Sequence, residues 1–183
     1  MRAEGMANVQ ILRREKWLSS VLIAGLLLSL VPLLLPRLLP LLDQPNHLAA
    51  VAIWHRIADP AWGYDRCYRL NLAPVPYLAY YLPVHLLAYV LPLEAANKLV
   101  LALYAVGLPL SLLALARRLG RSPALALLAL PFIFNYNLAY GFLPLCVGLP
   151  PLLLALAFFQ PGLLLLELGQ ELGDLGIVVR AAE

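Results

Sequence analysis

Asp43 and His47 lie four residues apart, with Pro45 and Asn46 between them. A carboxylate held beside a hydroxyl can take its proton and turn a poor nucleophile into a useful one, and a neighbouring imidazole can orient that carboxylate or share a metal ion with it. Two plainer roles stand beside this one. Asp43 can cap a helix whose first turn carries Pro45, and His47 can simply hydrogen-bond water. Further along, Arg66 and Arg69 are mixed with Trp62, Tyr64 and Tyr68, a combination able to grip a phosphate or the face of a sugar ring. The same residues suit an interfacial aromatic belt with arginines touching lipid headgroups. Asn135 and Asn137, with Tyr136 and Tyr140, form a third polar group. They either line a cavity that binds hydroxyls or make an interhelical turn.

The rest of the chain is the kind that lipid dissolves. Hydrophobic residues make up 63% of its 183 positions and charged ones 13%, and the mean hydropathy is +0.84, outside the range of water-soluble domains. Uncharged runs cover residues 17–36, 70–93, 99–116 and 122–166. A bilayer core takes about 20 apolar residues per helix, so the first three runs can supply one span each and the fourth can supply two. With no alternating pattern to suggest a barrel, the expected fold is all-α, a polytopic transmembrane bundle of four to five spans.

Arg13, Arg14 and Lys16 precede an apolar stretch longer than the core of a secretory signal, and no small-residue cleavage site follows it. This is the pattern of a signal anchor with its N-terminus in the cytoplasm of a bacterial inner membrane, which accounts for the net charge of +3 without nucleic acid. The polar island at residues 43–71 then lies outside. Simple alternation takes residues 73–91 inward and puts residues 94–98 in the cytoplasm. Arg117, Arg118 and Arg121 then fall outside, against the positive-inside rule. Either that basic loop is an exception, or the segment holding Pro74, Pro76, Pro83 and Pro92 does not fully cross.

Residues 46–58 of the island are compatible with a short amphipathic juxtamembrane helix, on which His47, Val51, Trp54 and Ala58 share a face and Trp54 sits at headgroup depth. His85 falls within the second apolar run, where an ionisable residue points to function or to a hydrogen bond with another helix.

A signal-anchor span, an acidic residue just beyond it within Asp43-x-Pro45-x-His47, a juxtamembrane helix and then Asn71-Leu72-Ala73-Pro74-Val75-Pro76 resemble the N-terminal part of multi-pass bacterial glycosyltransferases of the GT-C architecture. Ala96-Asn97-Lys98-Leu99, Ala116-Arg117-Arg118-Leu119-Gly120-Arg121 and Phe134-Asn135-Tyr136-Asn137 are similar to bacterial membrane proteins grouped loosely with that class. The resemblance covers residues 17–159. It implies transfer of a sugar from a polyprenyl-phosphate carrier to an extracytoplasmic acceptor in the cell envelope. In that class the acidic residue of the first external loop is the general base or a ligand to a divalent metal, and Asp43 alone matches it by order. Membrane lipid and a lipid-linked sugar donor are the implied partners.

Soluble-type signatures are absent: there is no P-loop, no Rossmann fingerprint, no His-Glu-x-x-His and no Cys-x-x-Cys. Cys67 and Cys146 are too distant in sequence to infer a pair. The division expected is a GT-C-like module at residues 1–160 and an atypical tail at 161–183, whose glycine- and acid-rich ending suggests a truncated or frame-shifted fragment. Two rival readings remain: a noncatalytic membrane subunit whose external helix docks a partner, and a transporter fragment centred on His85.

Overall fold

The structure is a computed structural model that describes the backbone of residues 2–72 and 77–174, and side chains within 16–72 and 77–159. Every regular element described is helical, as expected. A charged start followed by leucine-rich, uncharged sequence from Trp17 gives α1 (Arg2–Leu34), with Pro32 in its last turn. The chain then bends, and α2 (Gln44–Arg56) starts behind Asp43 with Pro45 in its first turn, where a missing N–H costs nothing. Asp59 closes a turn by accepting from Ala61 N at 2.9 Å. Gly63, at φ +60°, reverses the chain into the short 3-10 turn Tyr64–Arg66.

The second apolar run departs from expectation. Its helix, α3 (Leu78–Leu87), has 10 residues, about 15 Å of rise against a hydrocarbon core about 30 Å thick. The long helix α4 (Leu93–Arg118) follows and stops at a Schellman cap. There Gly120 sits at φ +62° and donates to Arg117 O at 3.1 Å, while Arg121 N reaches Ala116 O at 2.8 Å. Next come a 3-10 helix (Pro123–Leu128), α5 (Ala129–Phe132) and α6 (Tyr136–Tyr140), broken around residues 133–135. The last helix is α7 (Leu143–Asp174). Its backbone passes through Pro161 without a break, and residues 175–183 of the expected atypical tail lie outside the described residues, as does 73–76 of the proline motif.

Three segments are long and apolar enough to cross a membrane: Lys16–Leu34, Leu93–Arg118 and Pro123–Tyr140, the last being a succession of short helices. Lys98, near the start of α4, donates from Nζ to Leu34 O at 3.3 Å and to Pro36 O, so α4 begins at the end of the bundle where α1 finishes. Midway, Gly25 of α1 faces Leu130. The broken segment climbs back beside α4, and Tyr104 satisfies a buried carbonyl at the break by donating to Ile133 O at 3.0 Å, as buried backbone requires. The descending helix α7 passes Gly107 at Pro150 and brings Phe158 within 6.0 Å of the Arg118 guanidinium. One end of the bundle therefore holds Asp43, Glu94 and Gly141, and the other holds Lys16, Arg118 and Phe158. Residues 94–98 lie at the same end as Asp43, not opposite it as simple alternation implied, because α3 is half a span.

The core gathers Val51, Tyr80, Val84, Leu101, Tyr104, Ile133, Leu138, Leu143 and Cys146 around α4. Tyr80 and Asn97 are both fully buried there and share a 2.7 Å hydrogen bond.

Candidate functional site

The floor of the site is made by the turn between α6 and α7. Asn135 caps α6 by accepting from Leu138 N at 3.0 Å. The helix ends one turn later in a second Schellman cap: Gly141 donates to Leu138 O at 3.0 Å and Phe142 N to Asn137 O at 2.8 Å, with Gly141 at φ +88°. The chain before α2 is laid on this turn, with Leu42 N bonded to Ala139 O at 3.0 Å and Asp43 N to Tyr140 O at 3.2 Å. Residues nearly a hundred positions apart are thus held together by backbone.

Asp43 stands at the N-cap position of α2, yet its side chain caps nothing. Its Oδ1 accepts from Asn46 Nδ2 at 2.6 Å, and its Oδ2 lies 3.4 Å from His47 Nε2. His47 is buried, and its ring is fixed at both nitrogens: Nε2 is 2.9 Å from Gly141 O and Nδ1 is 2.7 Å from the Tyr81 hydroxyl. A carbonyl can only accept, so Nε2 carries a proton and donates it to Gly141 O. Tyr81 belongs to α3, outside the three membrane-length segments. Burial, then the neighbouring Tyr77 and Asp43, raise its pKa, so it keeps its proton and can donate it to Nδ1. The imidazole is committed, and the carboxylate remains free to accept a further proton or hydrogen bond.

The Asp43 side chain is 48% exposed. With His47, Tyr77, Phe142, Pro144 and Leu145 it lines a cavity of about 270 Å³. Tyr77 also borders an apolar groove of about 260 Å³ between α2 and residues 70–72, lined by Ala50, Trp54, Leu70, Leu72 and Tyr81. Arg69 immediately precedes that groove.

Asp43 and His47 are thus brought together as the sequence suggested, while the other candidates are dispersed. Arg66 and Arg69 are exposed beyond the far end of α2, and no hydrogen bond or ion pair among the described residues joins them to Asp43. Asn137 is exposed on α6 beside the Asp43 seat. Asn135 is largely spent on structure, its amide nitrogen donating to Phe132 O at 3.0 Å. For a metal, no group of three or more His, Cys, Asp or Glu gathers among the described residues. With His47 engaged at both nitrogens, a divalent ion at Asp43 would have that carboxylate as its protein ligand and would need water or substrate oxygens for the rest.

The helix expected at residues 46–58 is present as Gln44–Arg56, but its buried stripe is Gln44, His47 and Val51. Two of these three are polar, but only His47 docks by hydrogen bonding; the Gln44 Oε1 is buried without a partner. Trp54 stacks on His85, with ring centroids 4.3 Å apart and planes 4° from parallel. His55, which no motif or periodicity singles out, has its ring centroid 5.2 Å from that of His85. Nδ1 of both is buried without a hydrogen-bond partner. Thirty residues separate these two histidines, and no local spacing signals their approach.

No protein-family model matches the chain, no curated protein matches it, and no solved structure matches it. The likeness to multi-pass glycosyltransferases rests on the sequence motifs alone.

Proposed function

We propose that this polytopic membrane protein carries, at its extracytoplasmic end, the acceptor-activating part of a glycosyl-transfer centre that moves a sugar from a polyprenyl-phosphate carrier. The observation that supports this reading most is the state of Asp43: a half-exposed carboxylate at a cavity mouth, held by Asn46 and backed by a fixed imidazole, but not consumed as a helix cap. Such a group can accept the proton of an acceptor hydroxyl as it attacks the sugar's anomeric carbon, while the C–O bond to the carrier phosphate breaks. His47 is a positioning residue. The apolar groove that meets the cavity at Tyr77 offers a path for the carrier chain, with Asn137, and less readily Asn135, for sugar hydroxyls; Arg66 and Arg69, beyond the far end of α2, meet lipid headgroups rather than the phosphate being transferred.

Orientation follows from charge in this reading. Among the described residues, Arg2, Arg13, Arg14, Lys16, Arg117, Arg118 and Arg121 gather toward one end, seven basic residues against five (Arg37, Arg56, Arg66, Arg69 and Lys98) toward the other. The positive-inside rule puts the first end in the cytoplasm and Asp43 outside. α7 then makes a fourth crossing, and α3 enters without crossing.

The test uses membranes carrying the full chain or its Asp43→Asn variant, each supplied with polyprenyl-phosphate hexoses and assayed for sugar transferred to envelope acceptors. Transfer should fall by a factor of about 10² or more with insertion unchanged. Equal transfer by both removes Asp43 from the chemistry, and no transfer above membranes lacking the chain favours the noncatalytic subunit.

A further inference from the structure

A second cavity, of about 400 Å³, opens between the C-terminal half of α2, the 3-10 turn and the start of α4, lined by Ala52, His55, Arg56, Trp62, Tyr64, Ala88, Pro92 and Leu93. Its volume lies within the range of small-molecule sites, and its wall contains no carboxylate. The Arg56 guanidinium is held 4.5 Å over the Trp62 ring. Gly63 at φ +60° allows this, folding Trp62 and Tyr64 together with ring centroids 5.6 Å apart. Stacking fixes the plane of the arginine and leaves its N–H edge open. Among the described residues that guanidinium has no hydrogen bond and no ion pair. Asp59, the acid nearest in sequence, is occupied by Ala61 N. His55 also lines the cavity; its Nδ1 is buried out of reach of a ligand, which leaves Nε2 as the nitrogen that can meet one. The start of the 26-residue α4 at Pro92 and Leu93 adds little to this charge, because Glu94 in its first turn offsets the positive end of the helix dipole.

We infer that this cavity is a binding site for a phosphate monoester, gripped by Arg56 and His55 against the Trp62–Tyr64 pair. The apolar remainder of the wall, Ala52, Ala88, Pro92 and Leu93, and its place at the end of the bundle suit a phosphate carried on a lipid. The site is separate from the Asp43 centre. Thirteen residues of α2 lie between Asp43 and Arg56, about 20 Å of helix, too far for one transferring phosphate to reach both. It therefore stands whether or not the transfer reaction does.

The test is calorimetric titration of the full chain, in an uncharged detergent, with dihexanoyl phosphatidic acid and separately with inorganic phosphate. Saturable binding of phosphatidic acid is expected, weakened about ten-fold by Arg56→Gln, the loss of one charge-assisted hydrogen bond, and unchanged by Arg121→Gln at the opposite end. Arg56 is exposed, so its replacement leaves the fold intact. If inorganic phosphate competes at similar strength, the site takes the phosphate itself; if it does not, the site takes the lipid headgroup. Binding of neither ligand by the unaltered chain, or equal binding by Arg56→Gln, overturns the assignment.

Discussion

Gly141 is where the chemistry of the chain depends on a missing side chain. A Cβ there would stand 2.7 Å from Asp43 N and 2.8 Å from Asp43 Cβ, and the backbone is already at φ +88°. Neither contact can be relieved by a rotamer change, because both involve the anchored start of α2. Gly141→Ala should therefore cost about 2 kcal/mol or more, from left-handed strain plus the clash. Thermal melting of the purified chain in detergent reads this, with Gly148→Ala as control, since no atom lies within 4 Å of a Cβ at that position. Equal melting of the two variants would mean that Asp43 does not rest on this turn. Tyr81→Phe removes the donor to His47 Nδ1 and leaves a buried acceptor unpaired, at about 1 to 3 kcal/mol. If His47 positions Asp43, the variant also lowers transfer several-fold in the membrane assay; a loss of stability alone makes the histidine structural.

Element lengths decide the topology, and here the sequence was legible only in part. The leucine-rich α1 and the start of α2 at Asp43-x-Pro45 could be read directly, since apolar length and an N-terminal proline act locally. The run at residues 70–93 misled, because an uncharged stretch shows that lipid or protein covers it but not where it bends. The prolines within it allow it to bend short of a full crossing. Pairings such as His47 with Gly141 O, or His55 with His85, join residues from different elements and leave no periodic trace. In the proposed topology the half-length α3 puts residues 43, 67 and 94 on one side of the membrane and 121 on the other. Cys67 is exposed and Cys146 buried, so a membrane-impermeant maleimide applied to intact cells should modify Cys67 and no other native position. In a chain lacking both, a cysteine in place of Glu94 should label under the same conditions and one in place of Arg121 only after permeabilisation. Opposite sidedness of positions 67 and 94 would mean that α3 crosses.

The bundle is held by a few polar clasps because apolar burial separates nothing from lipid. Leucine gains little by leaving a hydrocarbon tail for another leucine, so association relies on packing and on hydrogen bonds between helices. The span windows show this: α4 is 50% buried and central, whereas α1 is 17% buried and attached chiefly at its end, through Lys98 to the carbonyls of Leu34 and Pro36. The short helix α3 has no span of its own to anchor it. Its clasp on α4 is the bond from Tyr80 to Asn97, two side chains fully buried and 2.7 Å apart. Both the Asp43 centre, through Tyr81, and the Trp54–His85 stack depend on where α3 sits. A double-mutant cycle isolates the clasp: Tyr80→Phe and Asn97→Leu each strand a buried polar group, but the double variant strands neither. The two changes together should cost less than their sum by about 0.6 to 1.7 kcal/mol, the range of measured interhelical hydrogen bonds in membranes. Unfolding of the reconstituted chain by increasing fractions of denaturing detergent supplies the four free energies. A coupling near zero would detach α3 from α4 and remove the support under the outer end of the bundle.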